Sequence, residues 1–98
     1  MTAEGFEWDE SKNRQNISKH HIDFQAAKNV FAGPTVERID RRFDYSEMRI
    51  ICLGAVEGTE MVVVYTWRGT VRRLISARRA HEKERHIYRR AFPKGRAS

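Results

Sequence analysis

Three runs rich in β-branched residues, RIICLGAV, MVVVYTW and TVRRLISA, are joined by only a few residues, EGTE and RGT. Each connection holds the glycine that a tight hairpin needs. Parallel neighbours require crossovers of a dozen or more residues, so these three strands must pair antiparallel in sequence order. The alternating run TVERID precedes them as a further strand, joined through the longer polar loop DRRFDYSE. This meander fixes most of the architecture, because the remaining elements can only cover its faces or add to its edges.

The chain before the meander is helical. FEWD reads as a short strand able to join a sheet edge, and its Asp9 can cap ESKNRQNISKHH, which contains no helix breaker. Ile17 is nearly the only apolar residue there, so packing of its ends and long side-chain stems is expected to hold this helix. Asn13 and Asn16 read as polar groups of the helix start. Asp23 can cap a second helix with Ala26, Ala27, Val30 and Phe31 at helical spacing, stopped by Gly33-Pro34. After the last strand, Glu84, Ile87, Tyr88, Ala91 and Phe92 carry helical spacing in HEKERHIYRRAF. The expected fold is therefore α+β, β-α-α-β-β-β-β-α, with the helix pair on one sheet face and the last helix partly covering the other. A single domain over 6–92 is expected, with flexible ends at 1–5 and 93–98.

Charge is uneven along the chain. From Arg68 to Arg96 there are eleven Lys and Arg against two Glu, whereas residues 1–67 hold eight basic and eleven acidic residues. That polarity implies a polyanionic partner, nucleic acid before lipid, against the plainer reading of a solvated basic surface. Cys52 is the single cysteine and lies in an apolar run, as a small core residue would. It cannot form an internal disulfide, and with no signal peptide or membrane-length apolar segment a cytoplasmic location is expected.

Strict alternation places Val71, Arg73, Ile75 and Ala77 on one side of their strand and Arg72, Leu74, Ser76 and Arg78 on the other. Arg49, Ile51 and Leu53 share a side, as do Val63, Tyr65 and Trp67. Arginines rising from a sheet must face water, a carboxylate or an anionic ligand. Cleavage of RNA by its own 2′-hydroxyl needs little more than such groups: guanidinium donors for the phosphate oxygens, a base and an acid, and no metal or other cofactor. Lys19, His20, Glu84, Tyr65 and Tyr88 are candidates for proton handling, and Trp67 could stack a base. Plainer roles compete: His20 and His21 close a helix, Tyr88 and Phe92 make a core contact, Glu84 pairs with an arginine, and Arg85, Arg89 and Arg90 form a solvated or partner-facing side. His81 and His86, five residues apart, fall on different helix faces and do not suit a metal.

The segments FEWDESKNRQNISKHHIDFQAAKNVF, DYSEMR, VVVYTWRG and RLISARRAHEKERHIY together resemble the BrnT toxins of bacterial toxin–antitoxin pairs. The pattern FEWDxxKNxxNxxKH with a distal ISARRAxxxER is what makes the resemblance specific. It implies a RelE-like ribonuclease fold and a metal-free RNA-cleaving toxin that stalls translation, acting on RNA that is free or ribosome-associated. It further implies a BrnA-like ribbon-helix-helix antitoxin, a heterotetramer of two toxins and two antitoxins, and repression of operator DNA by that complex. Carried onto this chain, the pattern falls on Lys19, His20, Glu47, Arg49, Arg78, Arg79, Glu84, Arg85 and Tyr88. The catalytic set expected is Lys19, Arg49, Arg78, Glu84 and Tyr88, with Arg49 and Arg78 clamping phosphate, Lys19 as phosphate-binding or proton-handling cation, and Glu84 or Tyr88 as orienter or base. His20, Tyr65, Trp67, Arg73, Arg79 and Arg85 are expected to bind RNA. One departure stands out: the family has glycine after the Lys-His pair, where this chain has His21, so the interhelical turn is expected to be built differently. Two other functions fit the same residues, a noncatalytic nucleic-acid-binding module and a protein-interaction domain whose basic face docks an acidic antitoxin-like segment.

Overall fold

Strand pairing follows from those short connections. The computed structural model describes residues 5–42 and 46–93. The ends expected to be flexible fall outside them apart from Gly5 and Pro93, as do residues 43–45 of the DRRFDYSE loop. In chain order the elements are β1 (Phe6–Glu7), α1 (Glu10–His20), α2 (Phe24–Ala27), a 3-10 helix (Lys28–Ala32), β2 (Val36–Ile39), β3 (Ile50–Val56), β4 (Thr59–Arg68), β5 (Val71–Arg79) and α3 (Glu82–Ala91). The sheet order is β1-β5-β4-β3-β2, antiparallel throughout except for β1, which runs parallel to β5 at the edge. The β3–β4 hairpin turns through Glu57 and Gly58, both with positive φ (49° and 83°), as a two-residue turn of this twist demands.

One departure from strict alternation decides where the arginines point. Val64 pairs with Ser76 but Tyr65 pairs with Leu74, so Ile75 is an extra residue in β5. This β-bulge turns the strand over. Ala77 and Leu74, expected on opposite sides, both enter the core with Val63 and Tyr65. Arg72 joins that first face beside Trp67, whereas Arg73, Ser76 and Arg78 share the second. The expected grouping of Arg73 with Ala77, and of Arg72 with Arg78, is thereby corrected.

The first face is covered by Phe24, Ala27 and Val30, all fully buried. Burying Phe24 and Val30 contributes about 1.5–3 kcal/mol each. The second face carries a smaller cluster of Leu53, Val62 and Ala80, with Val36 and Ile51 at its margin and Tyr88 reaching it from α3.

Helix α1 is held differently from the expectation. Ile17 is exposed, and Asn13 and Asn16 are buried on the side facing the sheet. Asn16 donates to the carbonyls of Ile22 and Ala77 (2.9 Å each) and accepts from the Ala77 N–H (3.1 Å). Because β1 covers β5 only at Arg72 and Arg73, the carboxamide stands in for a missing strand at Ala77 and closes the sheet edge. Asn13 accepts from the Phe24 N–H and donates to Asp23, fastening the start of α2. Asp9 caps α1 and Asp23 caps α2, in line with the sequence. His21 takes the left-handed conformation (φ 60°, ψ 32°) with its N–H on the Ile17 carbonyl, so the turn uses the geometry that glycine favours.

Candidate active site

The open part of the second sheet face is flanked by α1 along the outer edge of β5. Lys12 and Lys19 lie seven residues apart and so project from one side of α1. Helix α1 runs along β5: Lys12 borders the same hollow as Arg73 and Asn16 holds Ala77, so its last turn, with Lys19 and His20, lies toward the Arg78 end. Two basic clusters result, one near each end of this face.

The first cluster is a hollow of about 190 Å³ into which Lys12, Arg49, Arg68 and Arg73 converge, with Asp9 and Glu47 also on its wall. Register brings Arg49 and Arg73 together, because β3 and β5 flank β4 and Arg73 pairs with Thr66, whose hydroxyl donates to the Met48 carbonyl. Arg73 is held by Glu7 at 2.8 Å and Arg68 by Glu47 at 3.2 Å. With four cations against Asp9, Glu47 and, on Arg73, Glu7, the hollow keeps a net positive charge and favours an anion.

The second cluster is built on Arg78, which grips Glu84 through both guanidinium branches at 2.9 and 2.8 Å. Glu84 also accepts from the His81 N–H at 2.7 Å, tying the start of α3 to the end of β5. Arg78 holds the Glu84 carboxyl down at about 2, well below its usual range, despite opposing desolvation. So weak a base, with both oxygens occupied, cannot readily take a proton; Glu84 instead aims Arg78. The pKa of His20 is lowered, first by partial desolvation and then by the charges of Lys19, Arg78 and His21. Its imidazole is therefore kept neutral near pH 7 and able to accept a proton.

The other candidates lie elsewhere. Tyr65 is 1% exposed and its hydroxyl donates to Glu37, so it belongs to the core and cannot meet RNA. Trp67 lies on the first face, where it and Phe31 stack on the Arg72 guanidinium at 4.8 and 4.1 Å. Tyr88, one turn after Glu84 on α3, packs against Phe92 and the Leu53–Val62–Ala80 cluster, and its hydroxyl donates to the Pro34 carbonyl. Arg79 is exposed on the first-face side of β5, and Arg85 donates to the Ala80 carbonyl. Sequence reasoning missed Lys12 and Arg68; the seven-residue spacing of Lys12 and Lys19 is the signal that could have found the former. Among the described residues no three His, Cys, Asp or Glu side chains gather as metal ligands, and no helix is long and apolar enough to cross a membrane.

A family model described as the ribonuclease toxin BrnT of type II toxin–antitoxin systems matches residues 8–84. The chain belongs to the BrnT family. The matched span holds both basic clusters and ends before Tyr88. Among solved structures, the BrnT ribonuclease toxin of Brucella abortus superposes with a TM-score of 0.60 at 23% identity, covering 80% of this chain and 97% of that one. At that identity the likeness is one of fold: a BrnT-type α+β domain with a mainly antiparallel five-stranded sheet. No curated protein matches the chain.

Proposed function

We propose that this BrnT-family chain is a RelE-like, metal-independent endoribonuclease that arrests translation. The observation that carries the reading is the hollow where Lys12, Arg49, Arg68 and Arg73 converge, on the sheet face that also presents the clamped Arg78. In the proposed reaction the substrate's 2′-oxygen bonds to the adjacent phosphorus as the bond to the 5′-oxygen breaks. Neutral His20 accepts the 2′-proton, and Lys19 beside it donates one to the leaving oxygen. Arg78, oriented by Glu84, holds the non-bridging oxygens as charge builds on them. The hollow seats a neighbouring phosphate of the same strand. Glu84 is thus a positioning residue, and Tyr88 takes no part.

The family description supports an antitoxin partner and an RNA substrate. A BrnA-like ribbon-helix-helix antitoxin, a heterotetramer, operator binding by the complex and a cytoplasmic site of action complete the proposal by family analogy. The test is incubation of the purified protein with RNA in excess chelator, reading the ends of the products. A 5′-hydroxyl opposite a cyclic or 3′-phosphate is expected. Cleavage abolished by chelator would overturn the metal-free route, and salt-sensitive binding without new ends would leave a noncatalytic RNA-binding module.

A further inference from the structure

Helix α3 meets the sheet through the Arg78–Glu84 pair, the Arg89–Glu60 pair and Tyr88, but it does not close along its whole length. None of its residues is buried. A cavity of about 150 Å³ opens between α3 and the second sheet face, floored by Ile51, Leu53 and Val62, walled by Ile87, and bordered by Arg38 and Glu84. That volume accepts a group of about benzene size. Ile87 is 53% exposed while lining it, an apolar surface that none of the described residues covers.

Charge around the opening is one-sided. Glu84 is neutralised by Arg78 and Glu60 by Arg89. Arg38 is exposed on β2 and makes no ion pair among the described residues. β2 is also the edge of the sheet, so among the described residues no further strand lies between Arg38 and an approaching chain. A ligand suited to this place brings one aliphatic or aromatic side chain and at least one carboxylate.

We propose that this groove docks an acidic amphipathic segment of the antitoxin, inserting one apolar side chain between Ile87 and Leu53 and setting a carboxylate on Arg38. The proposal rests on the toxin reading above. Glu84 borders the groove and also aims Arg78, so a segment seated there lies against the reacting cluster and blocks strand entry. Inhibition then needs no contact with the hollow at the other end of the sheet face.

The test titrates a BrnA-like antitoxin, the partner proposed above, against wild type, Ile87→Asp, Arg38→Glu and, as a charge-matched control on α1, Arg14→Glu. Thermal melts check folding, and RNA cleavage by each free variant is followed in parallel. Ile87→Asp and Arg38→Glu should each weaken binding by about tenfold or more, with Arg14→Glu within about twofold of wild type on the same scale. Cleavage by the free variants should be unchanged. Wild-type affinity in Ile87→Asp and Arg38→Glu would overturn the proposal, as would equal weakening in all three. A dimer of the free chain that Ile87→Asp dissolves would assign the groove to a second copy instead. Failure of the ribonuclease reading appears separately, as absence of cleavage by wild type whatever the binding pattern.

Discussion

His21 carries a side chain in a conformation that costs an L-residue about 1–2 kcal/mol and glycine nothing. Replacing it by glycine removes that strain but frees the unfolded chain, an opposing effect of about 0.4–1 kcal/mol. His21→Gly should therefore raise stability by about 0.5–1 kcal/mol in urea unfolding; a fall would mean that the imidazole makes an essential contact. Glu84 gives a pH-dependent prediction. Its folded pKa of about 2 lies below the ordinary 4.5, so the Arg78 pair stabilises fully above about pH 4.5 and loses that contribution as pH falls toward 2. The gap in urea midpoint between wild type and Glu84→Gln should hold from pH 7 to 5 and narrow below; a constant gap down to pH 2 would refute the ion-pair account. Residue types at this scale were largely legible. Cys52 is in the core with its thiol pushed up to about 12 by burial, and the Arg78–Glu84 pair was among the readings open from sequence. Tyr65 was not legible as core, because an alternating strand gives no sign of which face is covered.

At the level of elements, caps and turns were readable because they depend on one or two residues. Asp9, Asp23 and the EGTE hairpin needed no tertiary information. The bulge at Ile75 did, since an inserted residue leaves no trace in a run that is β-forming throughout, and it moves Arg72 and Arg73 to opposite faces from those expected. Asn16 was misread for a similar reason: its partners are 61 residues away at Ala77. Asn16→Ala leaves those buried backbone groups unpaired and should cost about 2–3 kcal/mol, at about 1–3 kcal/mol per group less some gain in helix propensity. Faster exchange of the Ala77 amide should accompany the loss; unchanged stability and exchange would show that the edge needs no such closure. Gly54 makes the complementary point for β3. A Cβ there would meet the Val30 Cβ at 2.8 Å, so Gly54→Ala should push the 3-10 helix off the sheet, lowering stability by about 1–3 kcal/mol. A neutral substitution would mean that this contact is slack.

Across the whole molecule, basic residues of the C-terminal third meet cations brought by α1. Charge counting along the chain registers the first group and not the second, so the sequence pointed to an anionic partner without revealing two clusters on one sheet face. Single-stranded RNA that engages about four of these cations should show a slope near −3 in log K against log salt. Arg68→Ala should flatten it by about 0.7; an unchanged slope would take the hollow out of the RNA path. The central claim is that Arg78, held by Glu84 beside His20, stabilises charge on a reacting phosphate. Single-turnover RNA cleavage by Arg78→Ala, under saturating protein, tests it most directly. The rate should fall by about 10²–10³ while the termini of the residual product stay the same. A rate within a few-fold of wild type would contradict the account.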